Sequence, residues 1–287
     1  ALSCNGAPGC LGDDAVTNFL LPACLSRPLM PVAITKLLAT SILLSGCAAP
    51  VSASMSDSSP HPGVAAAHRM PVQGIDVSRY QGSIDWRATA GAGVHFAFLK
   101  ATEGADYLDP KFKENWISAG RAGILRGAYH FMYWCRPASE QAAWFRKNVP
   151  AEPSALPPVL DVEWNGSPKT CPQKVSPQKA LSMIREMAAA MEAHTGNKPI
   201  IYTDITFHAE VLEGVELGLD FWLRSVAARP EERYQNRKWR FWQFTTTGRI
   251  PGISGPVDRN AFAGTLQQLQ DYHRKRIGGR RQTADGV

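Results

Sequence analysis

The sequence has no nucleic-acid-binding motif, no Cys-x-x-Cys or histidine cluster of the metal-binding kind, no internal repeat and no apolar run long enough to cross a bilayer. The first absence leaves the formal net charge of +6 without a DNA or RNA explanation, so no nucleic-acid partner is expected. The second leaves no metal site to assign, and no cofactor is expected. The third sets aside solenoids and propellers. The apolar stretch 37–44 falls well short of the roughly 20 residues that a spanning helix takes. Charge is also scarce at the start: residues 1–47 hold only Arg27, Lys36, Asp13 and Asp14, so the basic excess belongs to the remainder. Such an excess suits an anionic membrane surface or an anionic polymer. Much of it lies in His273-Arg274-Lys275-Arg276 and Arg280-Arg281, within a tail, 271–287, expected to be solvated and disordered.

What is present opens with a targeting pattern. Within segment 30–47, Lys36 precedes the apolar run, which ends in Leu44-Ser45-Gly46-Cys47. These four residues resemble the lipobox of bacterial lipoproteins, in which cleavage precedes the cysteine and its sulfur receives a lipid. With Ala48 rather than Asp next, the resemblance implies an exported outer-membrane lipoprotein facing the periplasm of a Gram-negative cell. The alternative is an ordinary secretory signal in which Cys47 is incidental. Residues 1–29 precede a plausible start at Met30, show no period, and are read as upstream sequence outside the fold. Residues 48–70 are rich in Ala, Ser, Pro and His, the composition of a flexible tether, so order is expected from about Val72.

From there short apolar runs alternate with amphipathic stretches. Strands are expected around 74–78, 95–100, 126–131, 158–160, 198–203, 221–225, 240–244 and 255–260. Helices fill the early gaps, most clearly 177–195, where Leu181, Ile184, Met187 and Met191 share a face. Repeated βα units imply a mainly parallel sheet, and eight of them a closed barrel. The expected fold is a single-domain α/β chain over 71–270, an irregular TIM-like (β/α) barrel. Helix thins out in the second half, so the later strands are expected to be partly antiparallel.

The chemistry gathers where strands stop. Pro157-Pro158-Val159-Leu160 runs apolar into Asp161-Val162-Glu163, and alternation in a strand sends Asp161 and Glu163 to the same side. Two acids at close quarters hold a proton between them, the equipment of a glycosidase. The plainer reading makes Asp161 a helix cap and Glu163 a solvated loop acid. Asp76 and Asp258 also fall at strand ends, which converge at one face of a barrel. Tyr129, Tyr202, Trp222, Trp242 and Gln243 lie on or near strand ends too, where rings stack on sugars and polar groups hydrogen-bond, or else simply pack. His95 and His130 read as core. Cys135 and Cys171 each follow a strand end and would meet an oxidising compartment after export, so a disulfide is expected, against the alternative of two separate thiols.

Gly74-Ile75-Asp76-Val77-Ser78 with Gln81-Gly82 and Ile84-Asp85-Trp86, then Lys100-Ala101-Thr102-Glu103-Gly104, Gly127-Ala128-Tyr129-His130-Phe131, Leu160-Asp161-Val162-Glu163, Trp242-Gln243-Phe244 and Asp258-Arg259-Asn260, follow a characteristic order. Over residues 72–264 this resembles the glycoside hydrolase family 25 lysozymes, the N-acetylmuramidases of the Chalaropsis type. The resemblance implies cleavage of the β-1,4 bond between N-acetylmuramic acid and N-acetylglucosamine in peptidoglycan glycan strands; a monomer is expected. Glu163 would be general acid/base, Asp161 its partner, and Asp76 and Asp258 the other acids of the cleft. The nucleophile is left open between a carboxylate and the substrate's own acetamido oxygen. Two features depart from the family: Arg224 follows Phe221-Trp222-Leu223 where a small residue is expected, and no wall-binding repeat is evident. Alternative functions are a non-hydrolytic peptidoglycan-binding lipoprotein and a hydrolase of another N-acetylated glycan such as chitin.

Overall fold

The structure, a computed structural model, describes residues 54–165, 171 and 174–272; Cys47, the segment 1–53 and the tail from 273 lie outside the described residues. The described chain begins with a short strand, β1 (Ser56–Asp57), and a helical turn, α1 (Ala65–His68), before β2 (Gln73–Val77), which is buried throughout. Asp85 opens α2 (Trp86–Gly91) by accepting from the Arg87 and Ala88 N–H groups, donors that no helical carbonyl reaches. The long β3 (Val94–Glu103) follows, with β4 (Tyr107–Leu108) folded back against its end. Next come α3 (Phe112–Arg121), β5 (Leu125–Phe131), α4 (Ala138–Asn148) and β6 (Val159–Val162). Ser176 caps α5 (Pro177–Thr195) through the Lys179 N–H, Pro177 sits where its missing N–H costs nothing, and Gly196 stops it at φ 71°. The face Ala180, Met183, Ile184, Met187 and Met191 is buried. The chain ends through β7 (Ile200–Thr203), α6 (Ile205–Phe207), β8 (Asp220–Arg224), α7 (Pro230–Arg233), β9 (Phe241–Arg249) and β10 (Val257–Phe262).

Strands β2, β3, β5, β6, β7, β8 and β9 pair in parallel, each with the next. β10 lies antiparallel between β9 and β2 and closes an eight-stranded barrel, with β1 and β4 outside it. The link 250–256 explains the reversal, since a parallel return takes about a dozen residues or more and this link allows only a hairpin. Gly252 makes the hairpin at φ 92°, and a Cβ there would stand 2.3 Å from the Asp85 carbonyl oxygen. The mainly parallel barrel with a reversed late strand is the architecture expected from the sequence.

Aromatic rings fill the barrel. Phe96, Phe98, Trp222, Phe241 and Phe262 are buried in one cluster with Val159 and Ile200. Phe98 stacks on Trp222 at 4.6 Å and meets Phe241 edge-on at 5.1 Å. Gly74 makes room for Phe96, whose ring would lie 2.5 Å from a Cβ there. A second apolar layer lies between the strands and the surrounding helices. Phe98→Ala is expected to cost about 3–5 kcal/mol in urea unfolding, the transfer loss plus an unfilled cavity. A loss under about 1 kcal/mol would show that the ring packing is loose.

The segment expected to be a tether is folded from residue 54 onward. Ser56 and Asp57 pair with Arg249 and Gly248, while Val64 and Ala67 pack without exposure against Trp242, Phe244 and Ala261. The Gln73 side-chain amide donates to the Ala67 and Met70 carbonyls at 2.8 and 2.9 Å. Arg259 in turn reaches Gln73 Oε1 at 2.9 Å and the Ser56 carbonyl at 3.2 Å. Small residues held by backbone and side-chain hydrogen bonds leave no hydrophobic period to read.

Candidate active site

The carboxyl ends of the parallel strands form the mouth of a cleft of about 260 Å³. Asp76 from β2, Asp161 from β6, Glu163 just past it and Asp258 from β10 all line it, with Tyr129, Tyr202, Trp222 and Gln243. Asp76 and Asp258 stand directly opposite one another on paired antiparallel strands. Asp161 and Glu163 share a side by strand alternation.

A hydrogen-bond network fixes the Asp76 half. Gln243 Nε2 donates to Asp76 Oδ2 at 2.9 Å and to Asp258 Oδ2 at 3.4 Å, and Asn260 Nδ2 donates to Asp76 Oδ2 at 2.8 Å. Tyr202 O–H donates to Gln243 Oε1 at 2.8 Å, and Trp222 Nε1 to Asn260 Oδ1 at 2.7 Å. These donors occupy the amide oxygens, so both amide NH₂ groups turn toward the acids. Tyr202 and Trp222 thus orient the amides as well as lining the cleft. Asp161 is different: its Oδ1 is buried and accepts no hydrogen bond within the protein. A buried oxygen without a partner is rare, and here it belongs to a residue that lines the cleft.

Burial dominates the electrostatics. It raises Glu163 to about 7, helped by the Asp204 charge and opposed by Arg224 and Lys100. It raises Asp258 to about 8, with Asp76 adding to the shift and Arg224 opposing it. Asp161 is held well above the usual carboxylate range by burial and then by Glu163. Asp76 is raised by burial, while hydrogen bonds from Asn260 and Gln243 pull it back. The acids therefore share protons near neutrality and titrate as a set. Such a site can donate a proton from one carboxyl while another stays anionic.

Trp242 is not brought to the cleft. Next to the inward Gln243 it must face outward, where its Nε1 donates to the Ser225 carbonyl at 2.7 Å and its ring packs against the segment carrying α1. Trp242 is the second residue of β9, and the expected contact with a sugar is replaced by packing outside the barrel. His130 is buried between Thr102 and Gln141. Four contributors escaped the sequence reading: Asn260 as a ligand of Asp76, Lys100 on the wall, Asp204 beside Glu163, and Tyr80 at the rim. Asn260 was legible by alternation, two residues beyond Asp258. A larger groove, about 950 Å³, runs past the amino ends of β8 and β9, but Arg237 in it is already committed to His208, Leu212 and Glu216.

Cys135 and Cys171 are joined by a disulfide, their Cα atoms 5.6 Å apart. It lies where the backbone leaves β6. Trp134 Nε1 donates to the Glu163 carbonyl at 2.8 Å, and Asn165 accepts from the Trp134 N–H and donates to the Met132 carbonyl. Replacing both cysteines by Ser is expected to cost about 2–4 kcal/mol, because the bridge closes a 36-residue separation. Equal denaturation midpoints with and without reductant would contradict that role.

The family described as Glycosyl hydrolases family 25 matches residues 75–253. The chain is 38% identical over 206 residues to the uncharacterized protein YegX of Escherichia coli O6:H1, covering 70% of this chain and 73% of that one. It is 38% identical over 215 residues to lysozyme M1 of Streptomyces globisporus, covering 69% and 70%. Among solved structures it resembles a family 25 glycosyl hydrolase from Bacillus anthracis at TM-score 0.68 and 33% identity, covering 76% of this chain and 99% of that one. A match of that extent, laid over a barrel with its acids at one mouth, makes the chain a member of glycosyl hydrolase family 25 and a glycosidase of the lysozyme class.

Proposed function

We propose that the protein hydrolyses peptidoglycan at the β-1,4 bond between N-acetylmuramic acid and N-acetylglucosamine, with Glu163 as general acid/base and Asp161 assisting. One observation carries the reading: Glu163, raised to about 7, leaves β6 beside a buried Asp161 oxygen that has no internal partner. Glu163 gives its proton to the bridging oxygen as the bond to the muramic anomeric carbon breaks. Before that step the shared proton is on Glu163 and Asp161 is the anion, which the positive charge growing on the sugar then stabilises. Asp161 then has an oxygen for that charge or for the N–H of the substrate's acetamido group. Water adds at the anomeric carbon and returns its proton to Glu163, so the net change is hydrolysis. Asp76 and Asp258, held by Gln243 and Asn260, complete the wall facing the sugar. Purified peptidoglycan incubated with the chain is expected to gain reducing ends while chitin gains none. No gain on either polymer would leave a wall-binding protein, and a gain on chitin alone a different hydrolase.

The proposal extends to place. A lipid on Cys47 would hold a monomeric enzyme at the outer membrane facing its polymer, raising effective concentration without a wall-binding repeat. Cys47→Ser is expected to move the protein from the membrane fraction to the soluble one; unchanged retention would contradict lipidation.

A further inference from the structure

Arg224 ends β8. Trp222 faces the cleft and Leu223 the layer under the helices, so alternation returns Arg224 to the cleft side. Its neighbour across the ladder is Gln243, whose amide holds Asp76 and Asp258. The Arg224 carbonyl accepts from the Tyr234 hydroxyl, which fixes the strand end. The guanidinium itself is uncommitted: among the described residues it forms no ion pair and no side-chain hydrogen bond. Its charge nonetheless acts on Glu163, Asp258 and Asp76 together, in keeping with a side chain on the cleft side of β8. Lys100, the cation that lines the cleft, is taken by Glu103 at 2.5 Å.

A planar fork of N–H donors, half-buried and unused, fits a carboxylate on two bonds at once. A ligand carboxylate entering here comes close to whichever of the acids is anionic, a repulsion that a nearby cation offsets. The geometry points to Arg224 as the residue that reads a carboxylate carried by the bound glycan beside the bond that is cleaved. This rests on the peptidoglycan reading. There the carboxylate has two sources, the lactyl group of a peptide-free muramic acid and the stem peptide where one is attached. Chitin offers neither, so Arg224 sets preference for the muramic strand over a neutral N-acetylglucosamine polymer.

Calorimetric affinity tests the assignment without depending on turnover. The full chain carrying Glu163→Gln, so that ligands persist, is titrated with three oligosaccharides of equal length: neutral N-acetylglucosamine, peptide-free muramic strand and peptide-bearing strand. Adding Arg224→Ala is expected to weaken carboxylate-bearing ligands about tenfold or more and leave the neutral one unchanged, the loss of a charge-assisted pair. Arg224→Lys should recover part of the affinity, since it restores charge without the fork. Loss on the peptide-free strand assigns the lactyl carboxylate, and loss on the peptide-bearing strand alone assigns the stem. Equal loss on all three ligands, or on none, overturns the assignment. Turnover of the same ligands by the native chain is measured alongside. Selective binding without turnover sinks the hydrolase reading and keeps Arg224, turnover without selectivity does the reverse, and no binding of any ligand overturns both.

Discussion

Glu163→Gln is expected to lower kcat on peptidoglycan about 10³-fold while changing KM little, because the amide keeps the shape and cannot give a proton. The magnitude follows from the role: a positioned general acid contributes about 10²–10⁴-fold. The wild-type pH profile carries the same information. An acid raised to about 7 is protonated below that pH, so kcat/KM should fall as pH rises through it. The residual activity of Glu163→Gln should lack that limb. Wild-type stability should fall over the same pH range. A carboxyl whose folded value is raised contributes stability that is full below its unfolded value, near 4.5, and lost as pH rises through about 7. Glu163→Gln removes that loss, so its Tm should exceed the wild-type value more at pH 8 than at pH 5. Retained activity within tenfold, or an unchanged alkaline limb, would take the acid role from Glu163.

Asp161→Asn is expected to cut kcat by about 10²–10³-fold without unfolding the protein. Asp161 Oδ1 is buried and has no partner within the protein. With no donor in the protein to satisfy it, that buried oxygen costs stability. Facing a sugar that gathers positive charge, or an acetamido N–H, the same oxygen gains its partner only as the reaction proceeds. An Asn has the same outline and no charge, so the fold should be as stable or more so while the rate drops, which separates this site from a structural one. Paired measurements of kcat and the urea midpoint check it. Full activity would contradict the account of Asp161, and an unfolded variant would show that its carboxyl holds the strand in place.

The barrel and its acids could be read because strand alternation and apolar runs are local signals. Val159 and Leu160 are buried and stop at Asp161, and the same logic placed Asp76 and Asp258 at strand ends. What failed needed distance or direction. Trp242 and Gln243 are neighbours on β9, and only the register with β10 and α1 packed outside decide which of them faces in. The segment with β1 and α1 is held by pairing to Arg249 and by Gln73 and Arg259, contacts that no hydrophobic period announces. Asp204 reads as a helix cap, which it is, accepting from the Phe207 N–H at 2.7 Å; its charge on Glu163 depends on β7 lying beside β6.

The sugar left at the new reducing end speaks most directly to the central claim. Peptidoglycan digested by the full chain, reduced with borohydride and resolved by mass spectrometry, should carry reduced N-acetylmuramic acid at the new ends, formed with uptake of one water per cut. Reduced N-acetylglucosamine there, or anhydro products formed without water, would contradict a muramidase that hands the Glu163 proton to the oxygen bridging muramic acid to its neighbour.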